Sequence, residues 1–264
     1  MRNANVILAV FLFFNAFSWS FAATETQNVC KRPLKVAWES YPPFQFQSPT
    51  KDFVGFDFEI VKKLFEKTNC KLEFLEMPFG RILKLLEDGD VDISIALSYT
   101  EERDKFLLFS DAIRDEKMVL FVKKTNLTKF GFKELAELKD TNFRLGITKG
   151  YFYGDVFEKL KGDTKFKKNI LENTADDQSI KMLLTERIEG MLGDEINIME
   201  GLKATGENTQ VAVHPLPVYK NSVFIVFSKK SVKPEIVQLF NTGLANLRKT
   251  HTYADLEKKY FDKK

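Results

Sequence analysis

Two spacings of apolar residues alternate along the chain. Leu34 to Trp38 and Leu72 to Leu75 are short apolar runs, which predict buried strands. Between them Phe56, Ile60, Val61, Leu64 and Phe65 recur at helical spacing, with Lys62, Lys63 and Glu66 on the other face. Tyr41-Pro42-Pro43-Phe44 cannot prolong the first strand, because proline lacks an N–H donor and fixes φ. Pro78 opens a helix carrying Ile82, Leu83, Leu85 and Leu86, and Asp88-Gly89 stops it. Val91 to Leu97 and Met118 to Val122 read as further strands. This βαβαβ order predicts a parallel sheet with right-handed crossovers.

A second strand and helix set follows. Phe132 to Leu138 reads as a short helix and Phe143 to Ile147 as a strand ended by Lys149-Gly150. Tyr151 to Leu160 is amphipathic, Gln178 to Leu184 reads as a helix, and Ile188 to Leu192 as a strand. Val223 to Phe227 is a late strand, and the chain closes on two helices, Pro234 to Arg248 and Tyr253 to Phe261. No repeat, low-complexity segment or flexible linker separates the two sets, so crossings between them are short and structured. The predicted class is α/β in two lobes. Facing lobes of this kind place strand C-terminal ends, where such sheets bind ligands, at a shared cleft.

Composition narrows the function. The 264 residues, 44% apolar and 29% charged, suit one large or two modest globular domains. A formal charge of +3 gives no reason to invoke nucleic acid. Only two histidines occur, His214 and His251, each isolated in sequence, which argues against His-based catalysis and His-rich metal sites. Arg2, the apolar run Val6 to Phe14 and the small residues of Ser20-Phe21-Ala22 read as a secretory signal over residues 1–22, cleaved after Ala22. The run is shorter than the ~20 residues of a spanning helix. Export makes the compartment oxidising, and Cys30 and Cys70 each lie just before a predicted strand. If those strands are parallel neighbours a bridge is geometrically reasonable, with ~3–4 kcal/mol of stabilisation in the chain-entropy model. The other reading is two buried thiols.

The stretch Asp92 to Arg103 carries the chemistry. Thr100 is a good helix N-cap, and Glu101 and Glu102 suit the first turn. Arg103 then opposes the helix dipole, at a cost of roughly 0.3–1 kcal/mol. One reason for it is an anion, because backbone N–H groups and a guanidinium fork both suit a carboxylate. The other is a solvated arginine paired with a neighbouring acid. Arg81, after Pro78-Phe79-Gly80, also opposes a dipole, and a structural or inter-lobe ion pair is the expectation there, with a ligand contact as the alternative.

Several motifs in order resemble the family 3 extracellular solute-binding proteins, the amino-acid receptors of ABC importers, over residues 33–262. Val54-Gly55-Phe56-Asp57-Phe58-Glu59-Ile60 is similar to the family's first-helix signature. Glu87-Asp88-Gly89-Asp90-Val91-Asp92 resembles its turn before the third strand, and Ser98-Tyr99-Thr100-Glu101-Glu102-Arg103 with Phe109-Ser110 its (S/T)-x-T-x-x-R…FS block. Gly146-Ile147-Thr148-Lys149-Gly150, Gly193-Asp194-Glu195 and Thr252-Tyr253…Lys259-Tyr260-Phe261 match further pieces. The resemblance implies two α/β lobes, each a mostly parallel sheet flanked by helices, joined by two crossing strands and closing on the ligand. Lobe 1 is then 23–115 with 222–264, and lobe 2 is 116–221. It implies that Arg103 pairs with the ligand α-carboxylate, that Ser98 serves the same site, that Asp194 takes the ammonium, and that Tyr41 and Phe79 cover the side chain. Arginine and carboxylate on different lobes would make ligand binding favour closure.

Two departures bear on the ligand. Ala96 stands where many members have a small hydroxylated residue, which removes one ammonium contact. Tyr151-Phe152-Tyr153 stands where Thr or Ser commonly meets the carboxylate. The rings either shape a more aromatic site or pack between lobes.

The leading expectation is therefore a periplasmic, monomeric binding protein for an amino acid or similar small zwitterion, serving an ABC permease without chemistry, cofactor or metal. One alternative is an exported cyclohexadienyl or arogenate dehydratase on the same fold, with Asp194 and Glu195 as candidate acids or bases. Another is a sensor that docks on a membrane receptor.

Overall fold

A computed structural model describes residues 30–66, 68 and 70–261; the signal expected at residues 1–22 lies outside them. Strand β1 (Leu34–Trp38) leads through a small ribbon, β2 (Phe46–Gln47) with β3 (Phe53–Val54), to helix α1 (Phe56–Glu66). Then come β4 (Leu72–Glu76), α2 (Phe79–Asp88), β5 (Ile93–Ser98), the short α3 (Glu101–Asp104) and β6 (Leu107–Lys123). The second half holds β7 (Leu145–Thr148), α4 (Asp155–Leu160), α5 (Thr164–Lys168), β8 (Ile170–Asn173), α6 (Asp176–Leu184), β9 (Gly190–Asp194) and α7 (Glu195–Ala204). The long β10 (Val211–Ser228) returns to the first half, and α8 (Pro234–Leu247) and α9 (His251–Phe261) finish it.

Eight strands form one sheet in the order β4-β1-β5-β10-β6-β9-β7-β8. Its centre is the antiparallel pair β6–β10, 17 and 18 residues long, and each strand belongs to both halves. On one flank β1 pairs in parallel with β4 and β5; on the other β7 pairs in parallel with β8 and β9. Each half is thus an α/β lobe, and β6 and β10 are the two crossings. They are far longer than the apolar runs Met118–Val122 and Val223–Phe227 suggest. Those runs are where each strand is buried in one lobe. Between the cores the register runs Asp115↔Ser222, Glu116↔Asn221 and Lys117↔Lys220, and polar residues there hide the strand from a hydrophobicity reading.

Each lobe packs apolar side chains on both faces of its part of the sheet. Trp38, Phe58, Ile60, Phe227 and Phe240 lie on one face of the first lobe, and Ile82, Leu86, Leu97 and Leu107 on the other. In the second, Leu120, Leu138, Leu145 and Phe157 oppose Phe121, Leu183, Met191 and Ile198. Cys30 and Cys70 are joined, with Cα atoms 5.3 Å apart, across the N-terminal ends of the parallel neighbours β1 and β4. That is the geometry the sequence placement suggested.

Two helices differ from the sequence reading. The segment 132–138 is instead a 3-10 turn at Leu135–Asp140, closed by a Glu134–Glu137 capping box. The amphipathic stretch from Tyr151 becomes helical only at Asp155, because Gly150 (φ 87°) and Gly154 (φ 96°) hold conformations outside the helical region. Residues 151–154 are therefore irregular, and Tyr151 and Phe152 face the cleft.

Candidate functional site

Strand β5 ends at Ser98, and Thr100 caps the turn that follows, its Oγ1 accepting the Arg103 N–H at 3.1 Å. This turn points the Arg103 side chain inward. The residue is 7% exposed. Its Nη1 donates to the Ser98 carbonyl at 2.7 Å, and its Nη2 reaches across the cleft to the Gly150 carbonyl at 2.9 Å. Its guanidinium also lies 5.6 Å from the Phe79 ring centroid. Among the described residues no carboxylate lies within ion-pair distance. Burial pulls this guanidinium down to about 10, against the opposing pull of Glu116 first and Glu158 and Glu102 after it. The solvated, paired arginine does not describe this residue.

Arg103 lines a cavity between the lobes with Glu39, Tyr41, Phe79, Ala96, Ser98, Glu116, Tyr151 and Phe152. Its free space is about 30 Å³, room for roughly two waters at ~10–15 Å³ each. Glu39 follows Trp38 at the C-terminal end of β1, and its Oε1 accepts the Tyr151 hydroxyl at 2.6 Å. Burial pushes Glu39 up to about 8, and Asp176 adds to the rise; the Tyr151 hydroxyl and the Phe79 N–H oppose it. Glu116, in the polar middle of β6, accepts from Ser98 Oγ at 2.9 Å, and burial pushes it up to about 7. Ala96 sits at φ 60° where β5 and β10 slip register, a conformation that costs a non-glycine residue about 1–2 kcal/mol.

Asp194 ends β9 as the N-cap of α7, accepting from the N–H of Asn197 at 2.8 Å and of Lys117 at 3.3 Å. It is buried, its carboxyl is raised by that burial and held back by Arg114, and, unlike the other expected site residues, it is not among those that line the cavity. Asp176 is bonded by Thr148 Oγ1 at 2.5 Å, and burial pushes it up to about 7. Its Oδ2, the Tyr41 hydroxyl and Gln45 Oε1 have no partner among the described residues. Buried groups of this kind cost about 1–3 kcal/mol each unless something meets them.

The structure thus brings Arg103, Ser98, Tyr41, Phe79, Tyr151 and Phe152 to one cavity. The sequence reading passed over Glu39, Glu116 and Asp176. The signal for Glu39 was its place at a strand's C-terminal end; Glu116 lay in the charged run Arg114 to Lys117, unread because it breaks the apolar pattern. Arg81 corrects the ion-pair expectation. It is exposed on the cleft rim beside Lys149, with no carboxylate within 4.0 Å among the described residues.

Hydrogen bonds that span the cleft among the described residues include Arg103 to Gly150, Tyr151 to Glu39, and Asn197 Nδ2 to the Pro42 carbonyl at 2.8 Å. Residues 34–263 match the model of the bacterial extracellular solute-binding proteins, family 3. The chain belongs to that family. Among its relatives is the histidine-binding periplasmic protein of Salmonella typhimurium, 25% identical over 270 residues, 99% of this chain and 98% of that one. The arginine-binding extracellular protein ArtP of Bacillus subtilis is 25% identical over 84% of this chain and 82% of its own. An ancestral arginine-binding protein bound to arginine superposes with a TM-score of 0.75 at 26% identity, covering 87% of this chain and 98% of its own. These relatives are binding proteins. Within this solute-binding protein no three His, Cys, Asp or Glu side chains among the described residues stand close enough to hold a metal ion.

Proposed function

We propose that the protein captures an amino acid between its lobes and hands it to a membrane ABC permease. The observation that carries this is Arg103: a buried guanidinium at the cleft, paired so far only with neutral carbonyls. Two of its five N–H donors are engaged, and a bidentate carboxylate is the partner that best offsets its burial. Ser98 serves the same end. The ligand ammonium goes to the Glu116 and Asp194 side, and Tyr41 and Phe79 cover its side chain, with Tyr151 and Phe152 in the cavity wall. Lobe 1 comprises residues 23–115 and 222–264, and lobe 2 residues 116–221, with the boundary at the paired Asp115 and Ser222. Closure over the ligand is the binding step. The relatives named for histidine and arginine support an amino acid as the ligand class, and the apolar run Val6 to Phe14 after Arg2, read as a signal, supports export.

A dehydratase would need a free proton donor or acceptor at the cleft, and the cavity acids Glu39 and Glu116 are engaged by the Tyr151 and Ser98 hydroxyls. His214 is buried against the Phe130 carbonyl, and His251 is exposed at the start of α9. A thermal-shift screen of the mature protein against the common amino acids tests the binding role. A ligand at 100 times its Kd adds ~2.7 kcal/mol, and the bound amino acid should raise Tm by several degrees. No shift with any of them would refute this function, and turnover of prephenate or arogenate would replace it with the enzyme.

A further inference from the structure

Residues 150 and 151 stand where an amino acid held by Arg103 would have to lie. The Gly150 carbonyl takes one arm of the Arg103 fork, and the Tyr151 hydroxyl takes Glu39. The Tyr151 ring meets Phe79 edge-on at 5.0 Å and Tyr41 at 6.1 Å, the two rings assigned to cover a ligand. It packs against core residues of both lobes. What is left open, about 30 Å³, is far below the ~300 Å³ of a small ligand pocket. No amino acid enters this cavity while Tyr151 stays in place.

Glycines bracket the chain around Tyr151. Residues 151–154 have no regular structure between β7 and α4, and a glycine with positive φ stands at each end of the tyrosine segment, Gly150 and Gly154. At Gly154 a Cβ would meet the Tyr219 ring at 2.6 Å, so close packing as well as positive φ reserves this position for glycine.

We propose, building on the amino-acid reading of the cleft, that Tyr151 is an internal occupant of the ligand pocket, and that the ligand which displaces it carries a cationic side chain for Glu39. The second half follows from what displacement leaves behind. Glu39 loses the Tyr151 hydroxyl and keeps a buried carboxyl that needs a donor. The pocket walls hold two acids, Glu39 and Glu116, against one base, Arg103. An α-carboxylate takes Arg103 and an α-ammonium takes the Glu116 side, which leaves Glu39 for a third group. Asp176 behind it disfavours an anion there. The rise of Glu39 to about 8, driven by burial and then by Asp176, agrees.

Two variants of the mature protein test this, Tyr151→Ser and Tyr151→Phe, the second removing one oxygen and keeping the ring. Calorimetric titration uses L-arginine, L-lysine, L-glutamine and L-glutamate. Tyr151→Ser should bind L-arginine or L-lysine at least tenfold more tightly than wild type, Tyr151→Phe severalfold more tightly, and L-glutamate should bind none of the three. Unchanged or weaker binding of the cationic amino acids by both variants, or a preference for L-glutamate, would overturn the proposal. Small-angle scattering without ligand gives an independent readout, since loss of the Tyr151–Glu39 bond should open the lobes and raise the radius of gyration. An unchanged radius in Tyr151→Ser overturns the internal occupant whatever binds. If no amino acid binds any of the proteins, the ligand assignment fails with the amino-acid reading, and scattering still decides the part played by Tyr151.

Discussion

Two arginines lie buried near the cleft, and their surroundings are opposite. Arg114, on β6, has its Nε 3.1 Å from Asp57 Oδ2 and its guanidinium 3.5 Å over the Phe44 ring. Burial pulls it down, but Asp57, Glu116 and Asp194 outweigh that, and its pKa is raised. Arg103 has two carbonyls and, among the described residues, no carboxylate, and burial prevails. A buried charge is tolerated where its counter-charge is built in. Where it is not, the structure carries a cost that a ligand can relieve. Arg114 belongs to the scaffold, and Arg103 to the binding function.

The sharpest break of this contrast is at Asp57. Asp57→Ala leaves Arg114 buried and unpaired, and removing one partner of a buried pair costs about 3–5 kcal/mol. Urea unfolding should show that loss, while Arg103→Ala, which removes an uncompensated charge, should change stability by under ~1 kcal/mol. Equal losses in the two variants would erase the distinction between the arginines.

The next effect reverses the roles. Arg103→Ala should weaken amino-acid binding about 100-fold or more, some 2.7 kcal/mol or above, in a protein that melts like wild type. Arg103→Lys keeps the charge and loses the planar fork, so it should recover only part of that affinity. Calorimetry that finds wild-type binding in Arg103→Ala would move the carboxylate elsewhere in the cleft.

What was legible in the sequence divides along the same line. The strands and helices that bury apolar residues at regular spacing were visible, as were the disulfide placement and Arg103, whose position against a helix dipole marks it. Arg114 and Glu116 were not, because they sit mid-strand where β6 passes between cores and the period-2 pattern gives way to charge. Tyr151 was visible as an oddity but not as an occupant. Whether a ring packs between lobes or shapes a pocket depends on where the other lobe stands, and no local pattern encodes that. Helix α7 was missed for a related reason. Its start is the Asp194 cap, which read only as a ligand group, although the same carboxylate accepts the Asn197 N–H.

The smallest effect is a pH slope, and it separates the acids by their nearness to Arg114. Asp57, in contact with it, rises only to about 6 despite complete burial, and Glu116, which Arg114 also opposes, to about 7. Glu39, with no arginine among the groups acting on it, rises to about 8. It faces the Tyr151 hydroxyl, the Phe79 N–H and Asp176, and Arg103 and Glu116 share its cavity. Its unfolded value is ~4.3, so from there to about pH 8 the folded protein holds a proton that the unfolded chain has released. Stability is then fully present below that range and falls as pH rises through it, by about 1.4 kcal/mol per pH unit for each such proton. Glu39→Gln keeps the shape and an acceptor for Tyr151 but cannot titrate. Melts of both proteins from pH 5 to 8 should show a shallower decline in the variant, most clearly between pH 7 and 8, where Asp57 has already lost its proton. Parallel slopes would mean that Glu39 is ionised throughout and already neutralised by a cation in the cleft. A cationic amino acid at saturation should flatten the wild-type slope in the same interval, because it holds Glu39 ionised as Arg114 draws down Asp57.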